Sequence, residues 1–175
     1  MGRRRFRVLV ADPPWRFGDP LPGPKRGAAK HYECLTLPQL CTFPLPPLVA
    51  DCWLFLWRVG SMQLEALAVA QAWGFRPPTS EIVWVKTVKD GSRPRLGMGR
   101  TVRNAHEVCL VCRRGRPERR SASVPSVFHA PRGEHSAKPE AFFGLVEQLA
   151  RGPYVELFAR RARPGWTCFG KELRS

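Results

Sequence analysis

Apolar residues come along this chain in short bursts rather than in long helical stripes. Arg7-Val8-Leu9-Val10-Ala11, Cys52–Trp57, Glu81–Lys86, His106–Cys112 and Tyr154–Phe158 are runs of five to seven residues rich in β-branched and aromatic side chains. Each predicts a buried strand, and Trp166–Phe169 predicts a sixth. Helical spacing shows in fewer places. Thr36 and Gln39 have capping-box spacing and predict a short helix. Ser61 predicts the cap of a second helix with apolar positions at Leu64, Leu67, Ala68 and Ala72, ended by Gly74. The third spans Pro139–Ala150, with Pro139 in its first turn and Phe142, Phe143, Val146 and Leu149 on one face.

Between these elements lie polar stretches. Arg16–Glu33 and Thr87–Asn104 are basic and punctuated by glycine and proline, as loops are. Arg113–Arg120 carries five arginines and predicts a solvated loop. Strands alternating with amphipathic helices imply an α/β fold with a mainly parallel sheet. The length of 175 residues suits one domain, taken as 1–175. In such sheets ligands bind at the carboxyl ends of strands, which here directs attention to Asp12 and to the residues after Phe158.

Charge narrows the class of partner. Lys plus Arg number 29 against 14 Asp plus Glu, a net of +15. A field of that sign attracts polyanions, so nucleic acid is the leading partner. No apolar run approaches membrane-spanning length and no basic amphipathic helix stands out, which argues against a membrane. The bland alternative is that the arginines only keep the surface soluble. The N-terminus is basic but lacks an apolar stretch before a cleavage site, so the six cysteines are expected as free thiols in a cytoplasmic setting. Cys109 and Cys112 have metal-ligand spacing, but no second close Cys/His pair follows, and no metal site is expected.

Three segments carry candidate chemistry. Asp12-Pro13-Pro14-Trp15 directly follows the first strand. In a chain that attracts nucleic acid, one candidate guest for such a turn is the exocyclic amine of a base, a poor nucleophile because its lone pair is delocalised into the ring. Asp12 can accept one of its N–H groups and the Pro13 carbonyl the other. Pro13 and Pro14 stiffen the turn and pre-organise both acceptors. Trp15 offers a flat face for stacking, worth about 1–3 kcal/mol by analogy with base–aromatic contacts. A simple strand-ending turn is the competing reading, since Asp and Pro are common turn formers. The second segment is His135-Ser136-Ala137-Lys138-Pro139-Glu140. Lys138 lies at a helix start, where a cation opposes the helix dipole, so it is a candidate for a carboxylate or phosphate contact, or is simply solvated. In the third, Glu156-Leu157-Phe158-Ala159-Arg160-Arg161, a carboxylate inside an apolar strand needs a partner, either a ligand hydroxyl or an arginine.

These segments, in this order, resemble the N6-adenine methyltransferase family that includes the catalytic subunit of the eukaryotic mRNA N6-adenosine methyltransferase, with bacterial and phage members. The match runs through nearly the whole chain: Val10–Trp15, Leu54-Phe55-Leu56-Trp57, Ala72-Trp73-Gly74-Phe75, Val83-Trp84-Val85-Lys86, Asn104, His106-Glu107-Val108-Cys109-Leu110, His135–Glu140, Glu156–Arg160 and Gly165-Trp166. The resemblance implies a Rossmann-like methyltransferase fold in permuted motif order, with the catalytic strand first and the cofactor strand late. It implies S-adenosylmethionine as cofactor, with Asp12 between target amine and cofactor. It places Lys138 at the cofactor's carboxylate end, Arg160 and Arg161 on its ribose and adenine side, and Lys171 and Glu172 against the cofactor; Glu156 and Phe158, at the end of the fifth strand, are expected among the cofactor contacts. Tyr32 would close over the site.

Two departures stand out. Family members usually carry Asn followed by Gln or Glu where this chain has Lys171 and Glu172, and lysine cannot reproduce an amide's acceptor. Relatives also carry an acidic upstream segment, whereas six residues precede the first strand here, which implies a more open cofactor site or help from a partner chain. The expected activity is methylation of adenine N6, in DNA more than RNA, on a single-stranded or flipped-out base. Arg16, Lys25, Arg26, Lys30, Arg95, Arg100 and Arg103 are the expected phosphate contacts. The alternative is a catalytically silent nucleic-acid-binding subunit of a heteromeric enzyme. A second copy or a partner subunit stays open as a further partner.

Overall fold

The computed structural model describes residues 5–16, 34–99, 101–133 and 137–171. In chain order its elements are β1 (Phe6–Ala11), α1 (Leu37–Cys41), β2 (Leu48–Arg58), α2 (Gln63–Ala72), β3 (Ser80–Thr87), β4 (His106–Arg114), β5 (Val127–Pro131), α3 (Glu140–Leu149), β6 (Tyr154–Leu157) and β7 (Trp166–Phe169). The strands form one sheet in the order β5-β3-β4-β2-β1-β6-β7. Four of its six pairings are parallel: β1 with β2, β1 with β6, β3 with β5 and β6 with β7. The other two are antiparallel because β4 runs against both β2 and β3.

Side chains alternate across each strand, so β1 feeds both faces. Leu9 and Ala11 pack on one side with Leu40 of α1 and Ala66, Val69 and Ala70 of α2. Val8 and Val10 pack on the other with Phe142, Phe143 and Val146 of α3. Burial on both faces is why β1 reads as a near-continuous apolar run. This is the Rossmann-like α/β layering expected from the sequence. No helix among the described residues is long and apolar enough to cross a membrane.

The capping box at α1 forms as expected: Gln39 Oε1 accepts from the Thr36 backbone N–H at 2.8 Å, and Thr36 Oγ1 accepts from the Gln39 N–H. The start of α2 is different. Met62, not Ser61, is its N-cap, and no side chain bonds there. Its buried face is Ala66, Val69 and Ala70, while Leu64 is exposed. The segment Leu64–Ala70 is apolar nearly all round, so spacing could not select a face; the small side chains let the helix lie close on β2. Strand β2 begins four residues earlier than the apolar run predicts. Strand β5 was not expected at all: Val127–Pro131 alternates exposed and buried positions at the sheet edge. Arg113 and Arg114 belong to β4 rather than to a solvated loop, and Arg114 donates to the Val49 carbonyl at 2.7 Å.

Candidate active site

Strand β1 lies between β2 and β6, and the chain leaves it toward opposite halves of the sheet. The carboxyl ends of β1 and β6 therefore open a crevice at a topological switch point, where ligands of open α/β sheets bind. Asp12 is the first residue past β1 and Phe158 the first past β6. The turn after Asp12 is tied down at every step. The Pro13 carbonyl accepts the Trp15 N–H at 2.8 Å, and the Pro14 carbonyl accepts the Leu35 N–H at 2.9 Å. The Trp15 indole donates to the Trp57 carbonyl at 3.0 Å.

Asp12 begins a row of alternating charges. Its Oδ2 lies 2.6 Å from Lys138 Nζ, which lies 3.1 Å from Glu107 Oε2; Glu107 Oε1 in turn lies 2.6 Å from Lys86 Nζ. Lys138 sits 5.0 Å from the Trp57 ring and Lys86 5.5 Å from the Trp84 ring. Burial alone would discharge Lys138, but Asp12 and Glu107 outweigh it and hold its pKa above the usual lysine value. Burial would likewise raise Glu107, but Lys138 and Lys86 outweigh it and hold that carboxyl below its usual range. The row keeps a charged ammonium beside Asp12.

Next to Asp12 is an apolar groove of about 770 Å³, walled by Leu35, Phe43, Phe158, Arg160 and Lys171 among others. The volume lies within the range of small-molecule sites. The rings of Phe43 and Phe158 meet at 4.7 Å. Phe158 has φ +61°, left-handed for a bulky residue, and such strain clusters at functional turns. Gly170 passes so near the β6 turn that a Cβ there would stand 1.9 Å from the Ala159 carbonyl oxygen. At the end of β6, Glu156 is buried and its Oε2 has no hydrogen-bond partner among the described residues. Burial, and then the Asp12 charge, push its pKa up to about 7, against smaller pulls from Arg161 and Lys138.

A carboxylate and an ammonium thus meet at the switch point beside an apolar groove; comparisons with known proteins give the family. The MT-A70 family model matches residues 6–172. The chain is 31% identical to the Type II methyltransferase M.MunI of Mycoplasma sp, over 98% of this chain and 79% of that protein. It is 31% identical to the N(6)-adenosine-methyltransferase catalytic subunit METTL3 of Homo sapiens, over 97% of this chain and 28% of that protein. An Arabidopsis thaliana MT-A70-like N(6)-adenosine-methyltransferase matches at 31% over 96% of this chain and 24% of its own length. The chain belongs to the MT-A70 family. It spans most of the Mycoplasma relative and about a quarter of these two eukaryotic ones.

In this MT-A70 chain the structure gathers Asp12, Pro14, Phe158, Arg160 and Lys171 on the groove, with Lys138 and Glu156 lining a small crevice beside Asp12. Trp15 is not the open stacking face that its position in the sequence suggests. It is 4% exposed and packed in the core. Pro13 is buried behind the turn, and one lone pair of its carbonyl is taken by Trp15. Lys138 is no free surface amine. Two of its three donors already face carboxylates, leaving one for a ligand. Arg161 lines the same crevice and ion-pairs with Glu140. Arg16, Arg95 and Arg103 are exposed, the last two on the segment that follows β3. Tyr32, Lys25, Arg26, Lys30, Arg100 and Glu172 lie outside the described residues.

Sequence reasoning assigned no role to Glu107, Lys86, Phe43, Glu140 or Arg163. Glu107 was within reach: an acid inside the apolar run His106–Cys112 needs a partner, the same signal that singled out Glu156. Arg163 lies over the Phe143 ring and ion-pairs with Glu140. Phe43 sits in a proline-rich stretch with no periodicity, so nothing marked it.

Proposed function

We propose that this chain transfers a methyl group from S-adenosylmethionine to the N6 amine of an adenine in nucleic acid, with Asp12 at the reacting centre. The observation that carries the reading is Asp12 at the switch point, held by Lys138 at 2.6 Å and bordering the apolar groove. The names of the Mycoplasma, Arabidopsis and human relatives support the reaction class.

The residues present fit the cofactor. The aromatic wall of Phe43 and Phe158 suits a flat heterocycle, and the orphaned Glu156 Oε2 is a buried acceptor that a ligand hydroxyl would satisfy. When bound, S-adenosylmethionine would supply an electrophilic methyl on a cationic sulfur, and the proton given up by the adenine nitrogen would pass to the hydrogen-bonded Asp12 carboxylate and on to solvent. Asp12 accepts an N–H of the target amine and so aims its nitrogen. Its charge favours the positive charge that builds there during transfer. Lys138 fixes the carboxylate rotamer, so the site need not reorganise as the reaction proceeds. The Pro13 carbonyl keeps one lone pair that Trp15 does not use, an acceptor for the second N–H if the bound base reaches behind the turn. The walls Leu35, Phe43 and Phe158 exclude water and strengthen these interactions.

The net charge of +15 supports a polyanionic substrate. The long shared span with the Mycoplasma Type II methyltransferase supports DNA over RNA. The reading of a silent subunit rests on Lys171, which stands on the groove wall where an amide is usual. The test is to incubate the pure protein with methyl-labelled cofactor and adenine-containing DNA or RNA, beside Asp12→Ala. Transfer by wild type alone is expected. Nucleic-acid binding with neither cofactor binding nor transfer contradicts the reading.

A further inference from the structure

The segment between β3 and β4 leaves three large apolar side chains in solvent: Leu96 is 57%, Met98 90% and Val102 71% exposed. Single exposed hydrophobes are ordinary, but three within seven residues are not scattered. Around them the described backbone is hydrogen-bonded. The Gly97 N–H donates to the Asn104 carbonyl at 2.7 Å, and the Arg103 guanidinium donates to the Gly97 carbonyl. Lower down, the Arg95 N–H donates to the Lys86 carbonyl at 2.7 Å and the Lys86 N–H to that of Ala105 at 2.8 Å. The two arms lie so close that a Cβ on Gly99 would stand 1.8 Å from the Val102 carbonyl oxygen. The described residues on either side of position 100 form a narrow ribbon whose outer part carries the apolar side chains. Its flanks are basic: Lys89, Arg93, Arg95 and Arg103 are exposed, and Asp90 is the one acid from 88 to 105.

The ribbon rises from the same edge of the sheet as Asp12. β1 is parallel to β2, β2 antiparallel to β4, and β4 antiparallel to β3, so the carboxyl ends of β1 and β3 lie together. Three strand spacings separate them, about 14 Å. That is comparable to the ~12 Å width of a DNA major groove. The stem is also joined to the site, because Lys86 and Glu107 at its foot are the outer members of the charge row that ends at Asp12.

We propose that Leu96, Met98 and Val102 form a wedge that enters the base stack of a duplex and holds it open while the target adenine is turned out toward Asp12. An adenine paired in a duplex cannot present its amine to a recessed carboxylate, so it must be extruded. Apolar side chains pressed between base steps lower the cost of unstacking, and flanking arginines on the phosphates hold them there. This rests on the methyltransferase reading above and adds the form of the substrate: duplex rather than only single-stranded nucleic acid.

The test compares wild type with a Leu96→Ser/Met98→Ser/Val102→Ser variant, whose changes are all on the surface and spare the core. Methyl transfer is measured on a DNA duplex, on the same strand alone, and on a duplex with the target opposite an abasic site. A fluorescent adenine analogue at the target reports unstacking without any transfer. The variant loses roughly ten-fold or more on the paired duplex, matches wild type on the single strand, and gives no fluorescence rise where wild type gives one. Equal rates and fluorescence for both proteins on the duplex overturn the wedge, as does a wild type active on single strands alone. Equal loss on every substrate, with a fall in sedimenting mass, overturns it in favour of a contact between protein chains. A wild type that raises the fluorescence but transfers no methyl to any substrate keeps the wedge and sinks the methyltransferase reading.

Discussion

Lys138 Nζ stands between two carboxylates, 2.6 Å from Asp12 Oδ2 and 3.1 Å from Glu107 Oε2, with its side chain only 9% exposed. The ammonium is thus the hinge of the site's electrostatics: it neutralises Asp12 from one side and is itself held by Glu107 from the other. A buried ion pair adds little net stability, but removing one member strands the other. Lys138→Met therefore destabilises the fold by about 3 kcal/mol, read by urea unfolding at neutral pH. Glu107→Gln added to that variant recovers part of the loss, because one stranded charge goes with it. Glu107 has a depressed pKa in the fold, so its contribution is present above 4.5 and is lost as pH falls through the folded value.

Glu156 has the opposite sign. Below about 4.5 it is protonated in both folded and unfolded chains; between 4.5 and about 7 only the unfolded chain releases the proton, so stability falls as pH rises. Above 7 the cost is complete, roughly 3 kcal/mol. Glu156→Gln removes this term. The variant gains stability relative to wild type at pH 8, and the gain vanishes at pH 4. A gain that grows toward acid would contradict the burial argument.

Trp15 acts through the fold. Its indole hydrogen bond to Trp57 and its place in the core mean that Trp15→Phe lowers stability by about 1–3 kcal/mol, the cost of a stranded buried acceptor. Affinity for nucleic acid is unchanged when binding is measured well below the melting temperature. A selective loss of binding without loss of stability would restore the stacking role that the sequence suggests.

The site was legible in the sequence where chemistry leaves a local mark. Asp12 follows an apolar strand and precedes two prolines; Glu156 interrupts an apolar run; Lys138 sits at a helix start. Each mark is a local conflict between residue type and surroundings. What was not legible depends on partners distant in sequence. Trp15 is buried because Trp57, 42 residues on, receives its indole. The Lys138–Glu107 pair joins α3's approach to β4, and Phe43 meets Phe158 only after the sheet forms. The fold followed the same rule. Fully buried strands declared themselves, while the edge strand β5 and the nearly all-apolar stretch Leu64–Ala70 of α2 gave no apolar periodicity from which a face could be read.

Gly170 tests whether the groove needs the close approach of β7 to the β6 turn. Gly170→Ala places a methyl 1.9 Å from the Ala159 carbonyl oxygen, so the backbone must move. Cofactor affinity, measured by calorimetry, falls by roughly ten-fold or more, with a stability loss of about 1–3 kcal/mol. Unchanged affinity would show that the cofactor lies elsewhere.

The most direct measurement is the rate at which Asp12→Asn forms N6-methyladenine in the substrate that wild type modifies, assayed by mass spectrometry of the digested nucleosides. Asparagine keeps the shape but loses the charge and replaces one acceptor oxygen with a donor. Wild type forms the product, whereas Asp12→Asn is slower by roughly a hundred-fold or more while still binding cofactor and nucleic acid. An Asp12→Asn rate equal to that of wild type would contradict the account at its centre.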